Sequence, residues 1–142
     1  MGPINIREFR YPEDYSQAIE IWERMEKGVR VGISDAPKEI EKKFLRDPEL
    51  FLVAELNGKL IGTIIGGYDG RRGFIYHLAV MASYREQGIG SRLMKEVENR
   101  LRAIGCIRCY LLVNNDNHEA KEFYEKHGWN HLDSAPYAKD LT

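Results

Sequence analysis

Only two of the 142 residues are cysteines, Cys106 and Cys109. That is too few for the disulfide framework of a small secreted domain and fits a reducing, cytoplasmic compartment. An excess of one charge is missing as well: 21 Lys and Arg stand against 22 Asp and Glu, a net charge of −1. Such a balance supplies no chain-wide attraction to phosphate backbones or anionic lipids, so neither nucleic acid nor a membrane is an expected partner. Long hydrophobic runs are absent. Stretches such as Leu60 to Ile65 fall far short of the roughly 20 residues of a membrane helix and are interrupted by Gly62 and Thr63. No basic, then apolar, then small-residue leader opens the chain, and Ile6 stands where a myristoylation signal needs Ser or Thr, so no targeting segment is expected.

What is present is an ordinary globular mixture, 43% hydrophobic and 30% charged, with enough apolar surface to offset chain entropy. At about 150 residues per domain, the length predicts a single domain over residues 1–142.

An alternating run, Ile4, Ile6 and Phe9, predicts a first strand, and Tyr15, Ala18, Ile19, Trp22 and Met25 recur at helical spacing after it. The irregular stretch from Glu26 to Ser34 reads as a mobile loop. From Pro37 a second short helix is expected to bury Ile40 and Phe44, with Leu45 a further candidate, before Pro48 ends it. Phe51 to Leu56 and Lys59 to Tyr68 are β-rich runs joined by Asn57-Gly58, the dipeptide that accepts the positive φ values of a tight hairpin turn. A second turn at Asp69 to Gly73 leads into Phe74 to Met81, making three consecutive antiparallel strands. Leu93, Met94, Val97, Leu101 and Ile104 then mark the strongest helix, with Gly105 at its C-terminal end. Ile107 to Val113 reads as a strand, Asn117 caps a helix through Ala120, Phe123 and Tyr124, and Gly128 closes it. Weaker strand signals follow at Trp129 to Leu132 and Tyr137 to Leu141. The alternation of strands and helices predicts one mixed α/β sheet.

Two segments carry chemistry. The first, Val80 to Ser91, joins a strand to the N-terminus of the strongest helix through Arg85-Glu86-Gln87-Gly88-Ile89-Gly90. Free backbone N–H groups and the positive end of the helix dipole collect there, and glycines let a diphosphate approach them without a Cβ in the way. The loop is neither a dinucleotide fingerprint, since Leu93 stands where a third glycine is needed, nor a P-loop, which ends in Gly-Lys-Ser/Thr. The second segment, Asn117-x-x-Ala120-x-x-Phe123-Tyr124-x-x-x-Gly128-Trp129, places a phenol near the middle of a helix.

In this order the two segments resemble motifs A and B of the GCN5-related N-acetyltransferase (GNAT) superfamily, and the expected element order is similar over nearly the whole chain. The resemblance implies a mostly antiparallel central sheet of about six to seven strands flanked by about four helices, α/β or, in some schemes, α+β. It implies acetyl-CoA as the acetyl donor, with Arg85, Glu86, Gln87, Gly88, Ile89, Gly90 and Ser91 holding the pyrophosphate. Leu78, Ala79 and Val80 would pair their backbone with the pantetheine arm, Asn117 would contact that arm, and Tyr124 would lie near the thioester sulfur. The implied activity is direct acetyl transfer to a primary amine of a small molecule or of a peptide N-terminus, without a metal ion. A homodimer is compatible with it. The competing reading is a CoA-binding or regulatory module without turnover.

An amine is mostly ammonium at neutral pH and must lose a proton before it attacks the thioester. The oxyanion needs a donor, for which a backbone N–H of Leu78 to Val80 is the expected source, and Tyr124 can protonate the departing thiolate. The base is less evident. Strand alternation places Phe74, Tyr76 and Leu78 on one face and Ile75, His77 and Ala79 on the other. Family members often carry Glu or His where Phe74 or Tyr76 stands, so Tyr76 is expected to hold a water that relays the proton. His77 is the better base by side-chain type but faces away unless a bulge reorients it. Glu55 and Asp69 are further candidates.

Leu112 replaces a glutamate typical of ribosomal-protein alanine acetyltransferases, while the runs Phe51-Leu52-Val53-Ala54-Glu55 and Gly66-Gly67-Tyr68-Asp69-Gly70 resemble bacterial members of unassigned substrate. Acceptor contacts are expected in the Glu26 to Asp35 loop and around Tyr68. Cys106-x-x-Cys109 enters a strand rather than opening a helix and has no second cysteine pair, which argues against a redox or zinc role. His118, His127 and His131 form no ligand pair, and the charges from Lys38 to Lys43 read as a solvated helix face.

Overall fold

The computed structural model describes residues 2–142. One sheet runs through it in the order β1-β2-β3-β4-β5, with β1 (Ile4–Glu8), β2 (Phe51–Leu56), β3 (Lys59–Tyr68) and β4 (Gly73–Val80) antiparallel and β5 (Cys109–Tyr110) parallel to β4. Helices α1 (Tyr15–Glu23) and α2 (Pro37–Arg46) cover one face, and α3 (Ile89–Ala103) covers the other, with α4 (His118–Lys126) beside it. The α3 face buries Leu52, Ile64, Leu93 and Val97, whereas the α1/α2 face buries Phe9, Trp22, Phe51 and Ile65.

Local chemistry sets most boundaries. Asn57 and Gly58 take φ values of 51° and 80°, the turn that a two-residue hairpin requires. At the end of α3, Gly105 adopts a φ of 97° and the Cys106 N–H closes back on the Leu101 carbonyl at 3.0 Å, ending the helix with a left-handed residue. Asn117 Oδ1 accepts from the Ala120 N–H at 3.1 Å and starts α4.

Three expectations need correction. The sheet has five strands rather than six or seven: residues 129–142 form no strand, and β5 shrinks from Ile107–Val113 to two residues. Pro136 has no N–H to give a ladder, and so short a β5 offers a following strand almost no edge. Leu45 is 71% exposed, because α2 directs Ile40 and Phe44, not Leu45, toward the core. The third concerns β4, whose faces do not alternate throughout. Thr63 pairs with Ala79 but Ile65 pairs with Tyr76, so His77 and Leu78 stand opposite the single residue Ile64. This is a β-bulge, with His77 at a φ of 54°. Ile75 therefore packs on the α3 face while Ala79 packs on the α1/α2 face, and Leu78 leaves the face of Tyr76.

Arg7 fastens β1 to the start of α1. Its guanidinium donates to both Asp14 carboxylate oxygens, at 2.7 and 3.0 Å, and to Glu55 at 2.9 Å. Burial pushes the Asp14 carboxyl up, but the bonds from Arg7 and from the Arg10 N–H outweigh it and hold the group below its usual value. A carboxyl depressed in this way stabilises the fold above its unfolded-state value, and that contribution is lost as pH falls through the folded-state one. Arg7→Leu is expected to cost about 3 kcal/mol in urea unfolding at neutral pH, because it strands a buried carboxylate. The gap from the parent protein should narrow as pH drops below 3.8, the reference value of the carboxyl; a gap independent of pH would remove Asp14 from the account.

Candidate active site

Pairing between β4 and β5 stops at Phe74–Tyr110. From Ile75 to Val80 the β4 edge has no strand beside it, and the chain after β5 diverges from it. The gap widens into an open cleft of about 870 Å³ bounded by β4, Leu112 and Val113, the N-terminus of α3, α4 and the segment Met25–Gly28. Leu78, Val80, Arg85, Glu86, Gly88, Ile89, Gly90, Ser91, Asn117 and Tyr124 line it. Ala79, Gln87 and Tyr76 do not: Ala79 is buried against α1, and Tyr76 projects from the opposite face of the sheet.

The loop before α3 leaves backbone donors free. Gly88 adopts a φ of 78°, open to glycine at little cost, and a Cβ there would meet nothing within 4 Å, so its backbone faces free space. The first bond of α3 runs from the Arg92 N–H to the Gly88 carbonyl at 3.0 Å, leaving the N–H groups of Ile89, Gly90 and Ser91 without helical partners. Arg85 does not point its charge into the cradle. Its Nε donates to the Val80 carbonyl at 3.1 Å and its Nη2 lies 3.4 Å from Met25 Sδ, so it fastens the loop to β4 and to the end of α1.

On the opposite wall, burial pushes the Tyr124 phenol up to about 12, so it carries its proton throughout the neutral range. Asn117 spends its oxygen on the α4 cap, while its amide nitrogen comes within 3.5 Å of where a Cβ on Gly28 would stand. His127, not singled out from the sequence as a site residue, accepts or shares a hydrogen bond with Ser91 Oγ at 2.8 Å and spends Nδ1 on the Phe123 carbonyl. This link between α4 and the first turn of α3 joins residues 36 apart and has no local sequence signal.

Tyr76 and His77 lie together on the α1/α2 side, with ring centroids 5.9 Å apart. Burial and the Asp47 carboxylate push the Tyr76 phenol above its usual value. The phenol therefore stays protonated and cannot itself be a base near neutral pH. Glu55 is tied to Arg7, and Asp69 lies in an exposed turn where its Oδ1 accepts from the Arg71 and Arg72 N–H groups. Cys106 and Cys109 are free thiols. Burial, then the neighbouring Cys106, pushes the Cys109 thiol up to about 11, which keeps it protonated and poorly nucleophilic. Among the described residues no group of three His, Cys, Asp or Glu side chains is placed to hold a metal ion, and no helix is long and apolar enough to cross a membrane.

The Acetyltransferase (GNAT) family profile matches residues 13–129, which include the whole glycine loop and all of α4. This chain belongs to that family. An acetyltransferase of Pectobacterium atrosepticum is 38% identical over 138 residues, covering 97% of this chain and 96% of its own. Among solved structures, Ard1 from Thermoplasma volcanium superposes with a TM-score of 0.77 at 30% identity, over 88% of this chain and 81% of its own. The fold is also that of the PaiA N-acetyltransferase from Thermoplasma acidophilum, solved in complex with coenzyme A, with a TM-score of 0.84 at 23% identity and 94% coverage of both chains. The protein is thus an acetyl-CoA-dependent N-acetyltransferase of the GNAT family, and the cleft beside β4 offers free N–H donors and an unpaired strand edge.

Acetyl-CoA at 100 times its Kd should stabilise the protein by about 2.7 kcal/mol. For a chain of this size that is a rise in Tm of about 3 or 4 °C per kcal/mol. Gly88→Val should lose most of the rise. The variant should also lower the Tm of the free protein, since a left-handed φ costs a β-branched residue at least about 1–2 kcal/mol. An undiminished response to acetyl-CoA in a thermal-shift titration would place the diphosphate elsewhere.

Proposed function

We propose that the acetyl group passes directly from acetyl-CoA to a primary amine of a small molecule or of a peptide N-terminus, with Tyr124 as the acid that protonates the departing thiolate. The observation that carries this reading is the partly buried Tyr124 phenol in the wall of the cleft, opposite the free edge of β4; among the described residues no protein group hydrogen-bonds its hydroxyl. Bound acetyl-CoA supplies the activated acetyl carbonyl; the protein supplies position and protons. In this reading the N–H groups of Ile89, Gly90 and Ser91, together with the dipole of α3, neutralise the diphosphate. The unpaired edge of Leu78 to Val80 takes the pantetheine amides as a further strand would be taken, and one N–H there faces the developing oxyanion. Asn117 contacts the same arm through its free amide nitrogen. Gln87 serves through its backbone alone, as does Ala79, because their side chains lie outside the cleft.

The donor fills the α3/α4 side, which leaves the acceptor to approach from the α1/α2 side, past Tyr76 and the segment Glu26 to Asp35. The half-exposed Tyr76 hydroxyl, kept protonated, orders water at that entrance rather than removing a proton itself. The reaction uses no metal ion, and its partners are acetyl-CoA and the amine. The reading treats residues 1–142 as one cytoplasmic domain, with a homodimer compatible with it.

Tyr124→Phe removes one hydroxyl and keeps the ring that packs against Phe123 and Trp129. The Kd for acetyl-CoA should change little while kcat falls by about 10²–10⁴. The loss should shrink at high pH, where the CoA thiolate leaves without a proton. Release of free CoA thiol across a panel of amines and peptides measures this and identifies the acceptor at once. Weaker binding with kcat intact would make Tyr124 a packing residue.

A further inference from the structure

The β4 bulge turns His77 out of the position that simple alternation assigns it and into contact with a buried acid. His77 Nε2 lies 2.7 Å from Asp35 Oδ1, with the His77 side chain 16% exposed and that of Asp35 5%. Asp35 is held on every side. Its second oxygen accepts from the Gly32 N–H at 3.0 Å, and its carbonyl accepts from the Tyr15 hydroxyl at 2.7 Å. The backbone of His77 is held just as firmly. Its carbonyl accepts from Thr63 Oγ1 at 2.8 Å, and that hydroxyl accepts from Trp22 Nε1 at 2.8 Å. The indole of Trp22 also packs edge-on to the imidazole, with centroids 4.7 Å apart.

This arrangement has the parts of a positioned base. A carboxylate against Nε2 fixes a proton on that nitrogen, so in the neutral ring the lone pair is on Nδ1. Among the described residues no buried side-chain nitrogen or oxygen lacks a hydrogen-bond partner, and Nδ1 has none from the protein, so Nδ1 reaches solvent. It does so one residue before Leu78, the start of the β4 edge assigned above to the pantetheine amides and the developing oxyanion. The backbone there is left-handed, with a φ of 54°, a conformation uncommon outside glycine that histidine tolerates better than most residues.

We propose that His77, oriented by Asp35, accepts the proton of the acceptor ammonium. The proposal rests on the acetyl-transfer reading and deepens it. One N–H bond of the ammonium breaks, and the proton passes to Nδ1 directly or through one water held beside Tyr76. The nitrogen, its pair now free, forms the bond to the acetyl carbon as the carbon–sulfur bond breaks, with that pair leaving on sulfur. Sulfur takes its proton from Tyr124. The second proton that the nitrogen loses replaces the one Tyr124 gave, and His77 returns the first to solvent. His77 is the base, and Asp35 is a positioning residue.

The positive φ dictates the test. Glycine and asparagine both accept it, so His77→Gly and His77→Asn remove the base without adding backbone strain. With the amine that the parent protein acetylates, kcat should fall by about 10²–10⁴ in both, with acetyl-CoA affinity within about twofold of the parent. Added imidazoles should restore turnover to His77→Gly, with a rate that rises with the basicity of the imidazole. Asp35→Asn should lower kcat with a smaller effect on KM, since it loosens the orientation of the ring. If kcat survives both His77 substitutions, or if rescue is indifferent to basicity, His77 only fills space and the proposal falls while the acetyl-transfer reading stands. Should His77→Gly not fold, His77→Asn decides on kcat alone. A parent protein that releases no CoA thiol with any amine overturns the acetyl-transfer reading and this proposal with it.

Discussion

The hydrogen-bond chain from Trp22 through Thr63 to the His77 carbonyl is the constraint on which the site depends. All three groups meet inside the α1/α2 core, where Trp22 and Thr63 are almost wholly buried. A buried donor or acceptor left without a partner costs about 1–3 kcal/mol, so the bulge that brings the His77 carbonyl to Thr63 is held by the core itself. Bulges bend the strand that carries them, and here the bend falls within the part of β4 that has no β5 beside it. The turning of His77 is a consequence of the bulge's one extra residue, and it falls beside the gap that opens where β4–β5 pairing ends.

That residue also divides the work between the faces of the sheet. Before the bulge, Phe74 and Tyr76 project to the α1/α2 side; after it, Leu78 and Val80 project to the α3 side and line the cleft. The α3 side is shaped by backbone, with a left-handed glycine at the start of α3 and a strand edge with free donors and acceptors. The α1/α2 side is shaped by side chains, in which Tyr15, Asp35 and His77 join α1, the following loop and β4. A backbone-built cradle suits a co-substrate shared by a whole family, and side chains suit an acceptor that differs between its members.

The local features of the chain were legible in its sequence because each rests on a conformational preference of one or two residues. Asn57-Gly58, Gly105, Asn117 and Gly128 mark turns and caps by what their side chains permit, and the periodicity of Leu93, Val97 and Leu101 marks α3 by the face it must bury. The tail after Trp129 was misjudged for the opposite reason. Apolar residues such as Leu132, Tyr137 and Leu141 look like strand positions, but a strand is a property of a pair, and β5 is too short to pair with.

By itself, then, the sequence determined the family, the order of the elements as far as α4, the glycine turn before α3 and the place of Tyr124 on α4. These follow from short-range spacing, because one helix turn or one glycine φ is enough to specify each. Tertiary structure alone decided which way β4 faces and what meets His77. Asp35 lies 42 residues earlier in the chain, and nothing in the intervening sequence pairs the two. A bulge changes the parity of every later side chain in its strand, and the bond that holds it here joins Thr63 to a carbonyl, a group every residue has and no sequence pattern can mark.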